Sequence, residues 1–257
     1  MKVAISGKGG AGKTTIAACL AKVLTREGKE VLAIDADPAT NLAATLGYDA
    51  ASDITPIAEM RDLIRERTEA GPEGYGQLFK LNPRISDLPE KFVREANGVK
   101  FLVLGTIKQG GGGCYCPENH FLKLLLSDIM LSGEQVIIVD LEAGLEHLGR
   151  ATVEATDALL VVVEPASRSL TVGRRIAELA PEIGLKKVLF IGNKIAREEH
   201  KRFLEEAAGE RLLGSISYDE RIAEADFSGR PPFIDNPEFL AEMKKISQGL
   251  KKALGKK

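Results

Sequence analysis

The sequence predicts a single α/β domain spanning residues 1–257, a doubly wound, mostly parallel sheet with helices on both faces. Three observations predict it. Short, almost purely apolar runs recur along the chain, at Val3-Ala4-Ile5, Val31–Ile34, Val99–Leu104, Val136–Val139 and Ala158–Val163; such runs are the strands of a sheet buried on both sides. Segments of helical spacing alternate with them, which is the rhythm of parallel strands and crossover helices. Two of the strands end in aspartates, Asp35 and Asp140, and the carboxyl ends of parallel strands face the ligand crevice. The bulk composition agrees. With 257 residues, 44% hydrophobic and 28% charged, the chain has enough apolar matter for one large core. A net charge of −2 supplies no basic field for nucleic acid.

The first strand covers residues 2–6 and the first helix residues 13–26. Between them stands Gly7-Lys8-Gly9-Gly10-Ala11-Gly12-Lys13-Thr14-Thr15. This is G-x-x-x-x-G-K-[ST] in the strand–loop–helix context that the pattern requires. The glycines let the backbone fold tightly, so that successive N–H groups of Gly9, Gly10, Ala11, Gly12, Lys13, Thr14 and Thr15 cradle phosphate oxygens. The helix start adds free N–H groups and the positive end of its dipole. Lys13 reaches the β- and γ-phosphates, and the Thr14 hydroxyl can ligate Mg²⁺. Lys8 is a second lysine, at the head of the loop. The string K-G-G-A-G-K-T-T resembles the deviant Walker A motif of the MinD/ParA/nitrogenase-iron-protein class of P-loop ATPases. The resemblance implies that Lys8 reaches the nucleotide of a partner subunit, and hence an ATP-dependent homodimer.

Gly28 stops the helix, and Val31–Asp35 is the next strand, running into Ala36-Asp37-Pro38. In the resembling class an aspartate at this first switch position orients the attacking water, and Asp37 is the match; a turn-capping aspartate before proline is the alternative. Residues 56–69 read as one helix with Ile57, Met60, Leu63 and Ile64 on a face. From Gly71 to Asn97 the composition predicts surface loop and irregular helix. Val99–Leu104 is a strand.

The next stretch, Lys108-Gln109-Gly110-Gly111-Gly112-Gly113-Cys114-Tyr115-Cys116-Pro117-Glu118-Asn119-His120, ends in two thiols one residue apart and leads into an apolar helix over 118–131. A helix N-terminus favours thiolate, the metal-binding form. One C-x-C supplies two soft ligands, whereas a closed Zn²⁺ site takes four and four thiolates also hold Ni²⁺. Two copies across a two-fold axis would supply four, which agrees with the dimer that Lys8 implies. A redox or regulatory thiol pair, and two cysteines buried as small hydrophobes, are the other readings. Cys19, the third cysteine, falls in the Ala-rich first helix and reads as core packing.

Gln135–Asp140 is a strand ending in a carboxylate, the Walker B arrangement, with Asp140 holding Mg²⁺. Leu141-Glu142-Ala143-Gly144-Leu145-Glu146-His147 then occupies the second switch, where the Gly144 N–H can meet the γ-phosphate; His147 reads as structural or exposed rather than as a ligand. Taken together, K-G-G-A-G-K-T-T, G-G-C-Y-C-P-E-N and D-L-E-A-G-L-E-H-L-G-R resemble the CooC-type nickel-insertion ATPases that serve maturation of carbon monoxide dehydrogenase and related enzymes, over nearly the whole chain. That resemblance implies that Cys114 and Cys116 of two subunits jointly bind one Ni²⁺, with Zn²⁺ as competitor, and that the client is a nickel enzyme.

Asp157–Val163 is a further strand, 168–180 a helix, and Lys187–Ile191 the last strong strand, ending at Gly192-Asn193-Lys194. The Asn-Lys pair resembles the base-reading motif of P-loop NTPases, with Asn193 on the adenine edge. Ala196 stands where a guanine-reading aspartate would be, which favours ATP. Leu213–Asp219 reads as a short strand and loop near the base. The C-terminal helix starts near Asn236-Pro237, with Phe239, Leu240, Met243, Ile246, Leu250 and Leu254 at helical spacing and Lys244, Lys245, Lys251, Lys252, Lys256 and Lys257 around it. It is either packed on the domain with a solvated lysine face or, less in keeping with the rest, a membrane-surface helix. Without an apolar run of membrane-spanning length or a disulfide framework, the chain reads as cytoplasmic. An iron–sulfur carrier ATPase and a positioning ATPase of the MinD/ParA type remain the alternative functions.

Overall fold

The computed structural model describes residues 1–71, 78–106, 117–132, 135–142, 152 and 155–256. Within them the elements follow as β1 (Lys2–Gly7), α1 (Lys13–Arg26), β2 (Val31–Ala36), α2 (Leu42–Thr45), α3 (Arg61–Thr68), α4 (Leu88–Phe92), β3 (Arg94–Ala96), β4 (Val99–Val103), α5 (Pro117–Ser132), β5 (Val136–Leu141), β6 (Ala158–Val163), α6 (Ser167–Leu179), β7 (Val188–Ile195), α7 (Glu198–Ala208), β8 (Leu212–Ser217), α8 (Glu220–Phe227) and α9 (Pro237–Leu254). Eight strands form one sheet in the order β3-β4-β2-β5-β1-β6-β7-β8. All pairs are parallel except β3 with β4. The expected doubly wound α/β fold is therefore present.

The apolar strand runs divide by alternation between two cores. Val3, Ile5, Ile138, Leu160 and Val162 face one, which α1, α2 and α9 cover with Ile16, Leu20, Leu42, Phe239, Met243, Ile246 and Leu250. Ala4, Ile137, Val139, Leu159 and Val161 face the other, closed by α3, α5, α6 and α7 through Ile64, Phe121, Leu125, Leu170, Ile176 and Leu204. β5 and β6 flank β1 on opposite sides. The chain thus winds away from β1 in both directions, which leaves a crevice at the carboxyl end of β1.

Three differences from the sequence reading stand out, and the favoured reading of the C-terminal helix is met. Residues 56–69 are not one helix: a 3-10 turn at Ile57–Glu59 precedes α3, with Met60 between them at φ −80, ψ 65. The Ala58 N–H donates to the Leu104 carbonyl at 2.9 Å, tying the turn to the end of β4 and out of line with α3. The stretch to Asn97 contains strand β3, which turns back on β4 through Asn97 (φ 50) and Gly98 (φ 77). Two consecutive positive φ values are those of a type I′ hairpin, and Asn-Gly is its preferred pair. Helices α7 and α8 were not anticipated. The basic C-terminal helix, left open above, has its apolar stripe in the first core, and Lys251 and Lys256 pair with Glu27 and Asp157, both at 2.5 Å. Among the described residues no helix is long and apolar enough to cross a membrane.

Candidate nucleotide site at the carboxyl ends of β1, β2 and β5

The loop from Gly7 to Thr15 leaves β1 against β6 so closely that a side chain at Gly7 (φ 151) would meet the Val162 carbonyl oxygen at 2.4 Å. Gly12 is the N-terminal cap of α1 in the left-handed region (φ 92), and a Cβ there would fall 2.3 Å from Asn193 Nδ2. Only glycine satisfies both demands at each position. The Ala11 N–H closes a turn on the Lys8 carbonyl at 3.1 Å, and the Ile16 N–H starts the helical ladder on the Gly12 carbonyl at 3.0 Å. Gly9 and Gly10 are exposed and Lys8 partly so. α1 begins at Lys13-Thr14-Thr15, so its first free N–H groups meet whatever the loop encloses.

Lys13 is 8% exposed, and its Nζ lies 4.0 Å from Asp37 Oδ2. Asp37 Oδ1 accepts from the Ala39 N–H at 2.8 Å. One oxygen of Asp37 thus caps its turn, and the other faces the phosphate-loop lysine. Asp140 ends β5 in register with Ile5 of β1 and Asp35 of β2. It is fully buried, and neither carboxylate oxygen has a hydrogen-bond partner among the described residues. Burial pushes its pKa up to about 7; the neighbouring Thr14 hydroxyl and Lys13 pull the other way, although Thr14 does not reach hydrogen-bond geometry. An unpartnered buried carboxylate beside a lysine and a hydroxyl is suited to a cation.

Asp35 was read only as the end of a strand, and it does more. Fully buried, it accepts from the Leu42 N–H at 2.9 Å and the Asp37 N–H at 3.2 Å, and so fixes the loop that carries Asp37. Burial raises its pKa to about 7, opposed by the Leu42 hydrogen bond and reinforced by Asp140. The available signal was an aspartate two residues before Asp37, at the end of a buried strand. Asn193, expected at the adenine edge, gives its amide nitrogen to the Ala11 carbonyl at 2.8 Å and is 7% exposed. The structure thus brings Lys8, Lys13, Thr14, Asp37, Asp140 and Asn193 to one crevice. Gly144, Cys114, Cys116 and His147 lie outside the described residues. Cys19 is fully buried, and burial pushes its thiol pKa up, as core packing requires.

Residues 2–233 match the model of the CobQ/CobB/MinD/ParA nucleotide-binding domain. The chain belongs to this family. It is 45% identical over 232 residues to the carbon monoxide dehydrogenase accessory protein CooC of Rhodospirillum rubrum, covering 89% of this chain and 88% of that one. It is 39% identical over 249 residues to an uncharacterised ATP-binding protein of Methanocaldococcus jannaschii, covering 96% of both chains. In fold it is similar to MinD in the MinC:MinD cell division complex of Aquifex aeolicus, with a TM-score of 0.72 at 22% identity over 98% of this chain and 96% of that one. The septum site-determining protein MinD of Pyrococcus horikoshii, complexed with Mg-ADP, gives 0.69 at 24% over 99% and 97%. The chain is accordingly an ATP-binding P-loop ATPase of the MinD/ParA class.

Proposed function

We propose that this ATPase is a cytoplasmic, homodimeric metallochaperone, with residues 1–257 as one domain. It binds Ni²⁺ through Cys114 and Cys116 of two subunits and assists nickel insertion into carbon monoxide dehydrogenase or a related nickel enzyme. The observation that carries the reading is the 45% identity to the CooC accessory protein across nine-tenths of both chains, in a sequence that itself holds the C-x-C.

The roles we assign are these. The N–H groups of Gly9, Gly10 and Gly12 to Thr15 and the Lys13 ammonium bind the β- and γ-phosphates of ATP, while the Ala11 N–H stays on the Lys8 carbonyl. Thr14 and Asp140 would hold Mg²⁺, which when bound supplies positive charge beside the phosphate oxygens; the two partnerless Asp140 oxygens fit that duty. Asp37, aimed by Asp35, orients the attacking water. The partner subunit's Lys8 adds a second cation at the phosphates, and closure of the dimer brings the two thiol pairs together. Asn193 Oδ1 accepts from the adenine amino group while its Nδ2 holds the loop, and the Gly144 N–H senses the γ-phosphate. Loss of that phosphate relaxes both switches and so changes the hold on the cargo ion. Zn²⁺ competes for the same thiolates, and binding weakens as acid protonates them.

The test is metal titration of wild type and of the Cys114→Ser, Cys116→Ser double variant. Wild type should take up Ni²⁺ and Zn²⁺ competitively and the double variant neither, with its ATPase retained. Full metal affinity in the double variant would remove the metallochaperone reading.

A further inference from the structure

Lys194, the second member of the Asn-Lys pair, has been given no role of its own, yet its side chain is held at two points. Its Nζ donates to the Gly10 carbonyl at 2.7 Å and to Glu164 Oε1 at 2.6 Å. Its backbone is held at φ 60, in the left-handed region that a lysine adopts at a cost. Glu164 is fixed in turn: its N–H donates at 2.9 Å to the hydroxyl of Ser169, which is fully buried at the start of α6. A chain of contacts therefore runs from α6 through Glu164 and Lys194 to the middle of the phosphate loop. Beside it, Asn193 Nδ2 holds the next carbonyl, Ala11, at 2.8 Å.

The geometry points to Lys194 and Glu164 as a clamp that keeps the phosphate loop in its ATP-receiving shape. Across a trans peptide the C=O and the following N–H point in opposite directions. A donor that holds the Gly10 carbonyl thus fixes the Ala11 N–H, which closes its turn on Lys8. Asn193, holding the Ala11 carbonyl, fixes the Gly12 N–H on the opposite side, toward the phosphates. Gly10 and Gly12 sit at φ 79 and φ 92 with no side chain of their own to hold them. A loop of free glycines loses more backbone entropy on enclosing a ligand than a preset one. The clamp places that ordering in the protein before ATP arrives, so Lys194 is a positioning residue rather than a phosphate ligand. Glu164 anchors its ammonium and partly neutralises it.

The inference rests on ATP binding and not on the nickel reading, so its test uses nucleotide alone. ATP and ADP dissociation constants, KM and kcat are compared for wild type, Lys194→Met, Lys194→Arg, Glu164→Gln and the double variant Lys194→Met, Glu164→Gln. A partly exposed charged hydrogen bond predicts about tenfold weaker ATP and ADP binding and a higher KM for Lys194→Met, with kcat within about twofold. Lys194→Arg should recover most of the affinity. Glu164→Gln should shift binding in the same direction by about threefold, and the double variant should be no worse than Lys194→Met. Equal weakening of ATP and ADP marks loop positioning, since the γ-phosphate is then not the contact. Tighter ATP binding in Glu164→Gln would overturn the clamp, because Glu164 would then be competing with nucleotide for Lys194. Unchanged ATP affinity in Lys194→Met would overturn it too, leaving a surface ion pair only. Should Lys194→Met fail to fold, as a nucleotide-free melt would reveal, Glu164→Gln decides: about threefold weaker binding of both nucleotides supports the clamp, and unchanged or tighter binding overturns it.

Discussion

Asp140 and Asp35 illustrate how a strand end becomes a site. They are register neighbours on β5 and β2, both fully buried, and burial lifts both to a pKa of about 7. In the unfolded chain each titrates near the ordinary carboxylate value of about 4. The nucleotide-free fold therefore binds more protons than the unfolded chain between those two values, and its stability falls as pH rises through about 7. Asp140→Asn removes the ionisation at the partnerless group. It should melt about 2–4 °C above wild type at pH 8, of the order of 1 kcal/mol, with the difference shrinking steadily as pH falls to about 4. It should also lose the gain in melting temperature that Mg²⁺ and ATP give wild type. A pH-independent difference between the two proteins, or a variant that still responds to Mg²⁺ and ATP, would contradict this use of Asp140. The sequence made Asp140 legible because a carboxylate ending an apolar run is a positional signal. Asp35 carries the same positional signal, but its role was not legible, because that role is to accept two backbone N–H groups from a loop whose path no periodicity records.

At the scale of elements, strands buried on both faces were the easiest to read: the bounds of β1, β2, β4, β5 and β6 differ from expectation by a residue or so. α1 runs over Lys13–Arg26 as read, set by Gly12 at its cap and Gly28 beyond its end. α7 and α8 were missed because each buries a narrow face, Leu204 and Ala208 in one and Ala225 in the other, within mostly charged surroundings. β3 is not legible even though Asn97-Gly98 is a turn signal, because a three-residue edge strand of Arg94-Glu95-Ala96 carries almost no apolar pattern. For α9 the sequence posed two options that differ in where one stripe goes. That stripe is in the core beside α1. Ile246→Ala, at a site 1% exposed, should therefore cost about 2–5 kcal/mol of stability, and wild type should not sediment with anionic liposomes with or without ATP. ATP-dependent sedimentation, or an Ile246→Ala protein as stable as wild type, would show that the stripe is available for other work.

The whole molecule sets β1 between β5 and β6, so that the phosphate loop, the Asp37 loop and Asp140 share one crevice while α1 and α9 cover one face and α5, α6 and α7 the other. The phosphate-loop motif names its own chemistry because it needs only local order. The thiol pair does not, since two ligands become four only in an assembly, and one chain's pattern cannot display its partner. The measurement that bears most directly on the proposed metallochaperone is metal content per unit mass, read together by light scattering and elemental analysis, with and without ATP. The account predicts one Ni²⁺ per two chains in a species of twice the chain mass, formed with ATP and lost when Cys114 and Cys116 are serines. One metal per monomer, or no nickel in any nucleotide state, would contradict it.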